Sequence, residues 1–310
     1  MLRLGVIIPF MLTGTIWGST WFVITGQIDG VPAAWSVFYR FLLATPGMFL
    51  LALAMGHSLR LEAKGHVLAL LVGVAQFCGN FMFVYHSELH LTSGIVAVMF
   101  ALLMVPNAIF ARIFIGERIE TGFMVGSAVA IAGVALLLVH ETRSSTLGGD
   151  VGLGIWLTVG GILSASLANV VQANEVGRKI AMVSLLAWAM FYGLVADLLF
   201  ALVTVGPSPL PQGWAFWGGT AYLALIGSIV TFPLHYNLVR EIGAGRTAYN
   251  AIVTVTVAML LSTLFEGYVW TGLAGAGMAL ALAGMVLALR SRRIKSIKVG
   301  QATTLRHDLD

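Results

Sequence analysis

Charge is scarce in this chain: Asp, Glu, Lys and Arg make up 10% of its 310 residues, against about a quarter in soluble domains, while 59% are hydrophobic. With a mean hydropathy of +0.94, such a composition cannot clothe a water-soluble globule. Cysteine is scarcer still. The one cysteine, Cys78, excludes an intrachain disulfide, and there is no CxxC or Cys/His cluster to ligate a metal. No GxxxxGKS/T phosphate loop is present, so the chain has no usual means of drawing on ATP. GxSxG, paired buried carboxylates and HExxH spacing are absent too, which argues against an intramembrane enzyme. A channel would need rings of charge or a selectivity loop, and neither is seen. No cofactor and no metal are expected.

What the chain has is long apolar runs. Between the sparse charges lie stretches of about 20 residues, the length that crosses about 30 Å of hydrocarbon at 1.5 Å per helical residue. These predict an all-α integral membrane protein with ten spans, at roughly 5–25, 33–55, 65–86, 92–115, 119–140, 151–171, 180–205, 214–240, 246–265 and 269–290. The start resembles a signal peptide only superficially: a single Arg3 precedes an apolar run reaching Thr25, longer than a leader's core, without a small-residue cleavage site. It is expected to be a retained first span. Connections are short, and none can hold a soluble catalytic domain.

Six of the seventeen Lys and Arg (Arg290, Arg292, Arg293, Lys295, Lys298 and Arg306) crowd the last 21 residues. After an apolar span, such a tail reads as a cytoplasmic, lipid-facing segment rather than a nucleic-acid site. With the N-terminus inside, fifteen of the seventeen basic residues fall on the inner face, leaving Arg143 in an outer loop and Arg40 within the second span. Both termini are therefore expected in the cytoplasm, with an even number of spans.

The stretches Thr92 to Gly122 and Ala244 to Gly272 share one layout, offset by about 150 residues. Each opens on a small-residue turn, runs through an apolar helix, breaks at Gly116-Glu117 or Glu266-Gly267, and enters a Gly/Ala-rich helix. Five spans per half would put the second copy upside down. The expected organisation is a five-helix repeat over 1–140, a linker over 141–150, an inverted repeat over 151–290 and a basic tail over 291–310. Inverted repeats of this kind recur in secondary transporters, with the binding site between the halves.

These residues, together with Trp17-Gly18-Ser19-Thr20-Trp21, Arg40-Phe41 and the YHSELHLTSG run from Tyr85 to Gly94, resemble the drug/metabolite transporter superfamily. The likeness is to its EamA-type ten-helix exporters, its YddG-like amino-acid exporters foremost, and it covers nearly the whole chain up to about residue 290. It implies alternating-access export, at a bacterial inner membrane, of amino acids or other small metabolites. A carrier of toxic amphiphiles is the alternative.

In lipid, polar and aromatic groups on one face of apolar helices mark a pathway or interhelical glue. The candidates for a cavity are Trp17 and Trp21 in the first span, Gln76, Asn80 and Tyr85 in the third, and Met99 in the fourth. They continue with Asn169 and Gln172 in the sixth, Ser228, Thr231 and His235 in the eighth, and Tyr249 and Asn250 in the ninth. Spans 1, 3, 4, 6, 8 and 9 are thus expected to surround the cavity, with 5 and 10 as scaffold. Arg40 is the outstanding charge, placed to hold a substrate carboxylate, to latch onto Glu88, or to snorkel outward. The His86-Ser87-Glu88-Leu89-His90 run has no metal-site spacing and reads as a helix turn. Pro106 and Pro233 are candidate hinges. Small-residue pairs in the tenth span, Gly272 with Ala276 and Gly277 with Ala281, permit close packing, within a monomer or in a weak homodimer. The expected partners are a small-molecule substrate and membrane lipid, and no nucleic acid.

Overall fold

The structure is a computed structural model that describes residues 4–116, 118–144, 149–208, 210–211, 213–242 and 244–307. Glu117 of the Gly116-Glu117 break, part of the 141–150 linker, and the side chains of the basic tail beyond Ser291 lie outside the described positions. Ten principal helices follow one another: α1 (Leu4–Ile28), α2 (Ala33–Ala54), α3 (Ala63–Ser87), α4 (Ser93–Phe100, Ala101–Leu103 and Met104–Ile115 in sequence) and α5 (Thr121–Ser144). After them come α6 (Val151–Val171), α7 (Met182–Thr204), α8 (Trp214–Ala221, Tyr222–Val230 and Thr231–Ile242 in sequence), α9 (Asn250–Phe265) and α10 (Gly272–His307). No strand occurs among the described residues.

Among the described residues, nine of these helices are long and apolar enough to cross a membrane. The exception is α9, whose 16 residues span about 24 Å at 1.5 Å per residue. The reading of a ninth span from 246 is corrected here. A separate turn, Ala244–Thr247, precedes α9, and the Tyr249 amide closes onto the Arg246 carbonyl at 3.2 Å instead of continuing a helix.

The helices expose leucine, valine and tryptophan outward, with Val203 85% and Trp214 92% accessible. Apolar rims of this kind suit a lipid solvent, in which the backbone is satisfied within each helix. The chain is a multi-pass membrane protein. Two apolar clusters fill the interior. One joins α2, α3, α7 and α8 around Trp35, Phe41, Phe77 and Met190. The other joins α4, α5, α6, α9 and α10 around Ile95, Val134, Met259 and Ala281. Trp21 and Phe100 pack against both.

Two helices are widened at their middles. Residues Gly73–Asn80 of α3 and Tyr222–Val230 of α8 form π-helical turns, about 150 residues apart in the chain. A π turn misplaces backbone carbonyls, and hydroxyls repair the damage here. The Ser228 hydroxyl donates to Leu223 O (2.9 Å), that of Thr231 to Ile226 O (2.6 Å), and that of Ser164 on α6 to Ala75 O (2.7 Å). The α3 turn packs against α7 and the α8 turn against α2.

Helix α5 lies along α10 for most of its length. A Cβ added at Gly133 would meet Ala281 N at 2.2 Å, and one at Gly284 would meet Ala130 N at 2.2 Å. The Gly277 and Ala281 stripe is therefore used inside the monomer, whereas a Cβ at Gly272 would meet nothing within 4 Å.

Candidate functional site

A cavity of about 390 Å³ lies at the centre. Its walls come from α1 (Trp17, Thr20, Trp21), α3 (Gln76, Asn80, Phe81), α4 (Phe100, Met104, Asn107), α6 (Asn169, Gln172), α8 (Gly227, Phe232, His235) and the start of α9 (Asn250, Thr254). Helices α2, α7 and α10 also reach it, through Arg40, Leu186 and the pair Met285 and Leu289. This corrects the assignment of α10 to scaffold alone: while Gly284 and Ala288 stay packed on α5, Met285 and Leu289 of the same helix line the cavity. No described residue of α5 is part of the wall.

Arg40 does not snorkel. It is 3% exposed and faces the cavity. Its guanidinium lies 4.4 Å from the centre of the Phe81 ring and donates long hydrogen bonds to the Tyr85 hydroxyl (3.5 Å) and the Ser228 hydroxyl (3.3 Å). The latch to Glu88 is not made, since both Glu88 carboxylate oxygens are buried without a hydrogen-bond partner.

Of the residues singled out in the sequence, Trp17, Trp21, Gln76, Asn80, Asn169, Gln172, His235 and Asn250 meet at this cavity. Tyr85, Met99, Ser228, Thr231 and Tyr249 are not part of its wall. Tyr85 stands behind Arg40 and holds it, and Met99 is 3% exposed in the second apolar cluster. Ser228 and Thr231 are occupied with π-turn carbonyls. Tyr249 belongs to the turn before α9.

The residues that sequence reading missed follow from the same π turns. A five-residue turn carries the wall from Gln76 to Phe81 and from Gly227 to Phe232, where α-helical spacing points to Asn80 alone and to Thr231. On α4, Phe100, Met104 and Asn107 do keep the i, i+4, i+7 spacing of one helix face. That signal was available.

The aromatic residues form two walls. Trp17 packs edge-on to Phe232 (5.7 Å between ring centres) and at 4.7 Å from His235, while its indole N–H donates to Gly227 O at 3.3 Å. Trp21 packs at 4.9 Å from Phe100. Pro106 follows the 3₁₀ turn Ala101–Leu103, and Pro233 follows the α8 π turn. In both places the carbonyl four residues upstream has lost its helical donor to the ring. The π turn of α3 contains no proline, so proline is not the common cause.

Of the four asparagines lining the cavity, Asn80 and Asn250 play different parts. The Asn250 amide donates to Phe10 O (2.5 Å) and to the Thr13 hydroxyl (3.0 Å), tying α9 to α1. The Asn80 side-chain oxygen is buried without a partner. Asn250→Ala is therefore expected to cost about 1–2 kcal/mol of stability through lost interhelical bonds. Asn80→Ala should leave melting unchanged and weaken substrate binding. Thermal melts in detergent alongside ligand titrations check both.

At the Arg40 end the cavity is shut: Ile24, Arg40 and Val84 are 2–3% exposed, whereas Asn107, Gln172 and Ala248 at the other end are half-buried. The shut end is held by Glu266, just after α9, whose carboxylate accepts from the Ser93 amide (3.2 Å) and the Ser93 hydroxyl (2.6 Å) at the N-terminus of α4. Nearby, the turn after α3 uses its histidines locally, His86 with Met82 O (2.7 Å) and His90 accepting from the Asp150 amide (3.2 Å).

Burial, and then the neighbouring Glu266 carboxylate, push the Glu88 carboxyl well above its ordinary value of 4.5, against the pull of Arg40. A carboxyl raised in this way favours the closed, folded arrangement below its ordinary value, and that contribution is lost as pH rises through the raised value. The wild-type chain should thus melt lower at pH 8 than at pH 5, and Glu88→Gln should flatten that difference. Melting temperatures across this range test it.

The geometry, a central amphipathic cavity closed at one end inside a multi-pass helical bundle, defines a membrane transporter. Residues 4–139 match the model of the EamA-like transporter family. The chain is 29% identical to the "Uncharacterized inner membrane transporter YedA" of Escherichia coli, over 81% of this chain and 80% of that one. It is 25% identical to the "Probable terminal-alkyne amino-acid exporter" of Streptantibioticus cattleyicolor, over 89% and 91% of the two chains. A protein crystal structure 18% identical in sequence superposes with a TM-score of 0.67, covering 94% of this chain and 98% of the other, which speaks for the fold alone.

Proposed function

We propose that the chain is a secondary exporter of amino acids, neutral or aromatic, that works by alternating access between two inverted halves. The halves are residues 1–140 and 151–290, ten membrane helices in all, joined by the 141–150 linker and followed by the basic tail from 291. The observation that supports this reading is that helices from both ends of the chain line the cavity. Its walls include α3 and α8, each widened by a π turn about 150 residues from the other, and each turn packs on the second helix of the opposite half. A cavity shut at one end and flanked by half-buried residues at the other fits a carrier resting open to one side. The one-sided distribution of basic residues supports a cytoplasmic position for that open side and for both termini. The α9 helix, though short, occupies the place that α4 holds in the first half.

Amino acids are favoured by the terminal-alkyne amino-acid exporter among the relatives and by the wall itself: indoles and phenyl rings for an apolar side chain, amides and Arg40 for the polar end. Pro106 and Pro233 serve as hinges in this scheme, next to the helix turns that already depart from α geometry. Driving force comes from a substrate or ion gradient. The chain acts as a monomer, since its closest-packed small-residue stripe is already occupied by α5, and its contacts are lipid and substrate rather than nucleic acid.

Purified chain in liposomes, given a panel of labelled amino acids, tests the reading. Saturable, competable flux is the expected result. Linear flux without saturation would indicate a channel, and no flux across the panel would remove the substrate assignment.

A further inference from the structure

The cavity wall is charged in one sense only. Among the described lining residues Arg40 is the one permanently ionised side chain, and no Asp or Glu lines the cavity with it. The guanidinium is 3% exposed, its Nε has no hydrogen-bond partner, and no described carboxylate pairs with it. Its two hydrogen bonds, 3.5 Å to Tyr85 and 3.3 Å to Ser228, are longer than the usual 2.7–3.2 Å. Neutral hydroxyls and the Phe81 ring face are its direct contacts, and the Glu88 carboxyl, which feels its charge, makes no hydrogen bond to it. A buried cation so weakly compensated gains more from an arriving anion than a paired one would. It also sits at the shut end, where an entering molecule comes to rest.

A substrate ammonium meets something different. The acceptors offered to it are the side-chain oxygens of Asn80 and Asn107, both lining the cavity and both buried without a hydrogen-bond partner, the amides of Gln76, Asn169 and Gln172, and the faces of Trp17 and Trp21. These are dipoles and ring quadrupoles, enough to solvate an amino group but not to demand one. A molecule whose only charge is positive would face Arg40 with no counter-charge on the wall.

Resting on the transport reading and specifying its substrate class, we propose that the site requires a carboxylate on an apolar body and tolerates the α-amino group without needing it. Its substrates then extend from aromatic and aliphatic amino acids to the deaminated monocarboxylic acids of the same shape. Cationic amines and cationic amphiphiles are refused.

The test uses the full-length purified chain and four probes of one shape: L-phenylalanine, 3-phenylpropanoate, 2-phenylethylamine and L-phenylalaninamide. Binding is read by tryptophan fluorescence in detergent, and transport by competition against labelled L-phenylalanine in liposomes. 3-Phenylpropanoate should bind within about fivefold of phenylalanine, with the amine and the amide weaker by about 10- to 100-fold, the loss expected for one charge-assisted hydrogen bond. Arg40→Gln should erase the preference, and Arg40→Lys should keep its order. If Arg40→Gln does not fold, the wild-type ranking alone decides. Amine binding equal to that of the acids overturns the proposal, as does an unchanged ranking in a folded Arg40→Gln protein or the binding of neither carboxylate. Carboxylates that bind without flux would leave this inference standing and sink the transport reading. Saturable flux that ignores the carboxylate would do the reverse.

Discussion

Gly133→Val is expected to destroy the folded transporter. The glycine sits where α5 and α10 run with their backbones in contact, so that a Cβ would lie 2.2 Å from Ala281 N and 2.6 Å from Gly277 O. Neither neighbour is a flexible side chain that could turn away, and the helices must separate along a seam that repeats at Gly126 and Gly284. In lipid this seam has no hydrophobic driving force to fall back on, because acyl chains solvate apolar side chains as well as a neighbouring helix does. Overpacking of this kind costs about 3 kcal/mol or more, which corresponds to roughly 10 °C in melting temperature. Gly275→Val, on the facing helix α10, is the control, since nothing lies within 4 Å of its Cβ position. Size-exclusion profiles and melts in detergent should show Gly275→Val behaving as wild type and Gly133→Val aggregated or melting far lower.

Ala101→Trp is expected to abolish transport while leaving the fold intact. Ala101 is a half-buried wall residue in the 3₁₀ turn of α4, and an indole projected from it would take up much of a cavity of about 390 Å³. Flux should fall by about tenfold or more, the equivalent of at least about 1.4 kcal/mol of lost substrate binding. Melting temperature should stay within a few degrees of wild type. Normal flux in the variant would mean that the substrate passes elsewhere.

These two outcomes depend on features that differ in how far the sequence discloses them. Helix positions were legible because long apolar runs are punctuated by the few charges, and α6, read at 151–171, is found at Val151–Val171. The start of α9 was not legible, because no proline or other strong helix breaker separates the turn through Arg246 from the helix that follows. Arg40 stood out as a charge within a span, but its surroundings could not be read. Phe81 and Tyr85 on α3 and Ser228 on α8 come from helices far apart in the chain, and only the fold gathers them around Arg40.

The π turns account for the clearest misreading. A sequence read at 3.6 residues per turn carries the α8 wall to Thr231, and one extra residue in the turn gives Phe232 in its place. Asn250 was legible as a polar group on the right face. Its role as a tie between α9 and α1 depends on the carbonyl of Phe10, which carries no side-chain signal at all.

The most direct test of alternating access is to lock the shut end. A Cβ at Gly94 on α4 would lie 2.9 Å from the Ser262 Cβ on α9, about 0.6 Å inside the roughly 3.5–4.5 Å that a disulfide bridges, so the two helices must part slightly and the Met259 side chain turn aside to accept it. In a Cys78→Ala background, the Gly94→Cys/Ser262→Cys pair should form a disulfide across this end. Liposomes carrying the oxidised protein are predicted to show flux at background, restored by a membrane-permeant reductant. Full flux in the cross-linked protein would contradict the account, since this end could then never have needed to open.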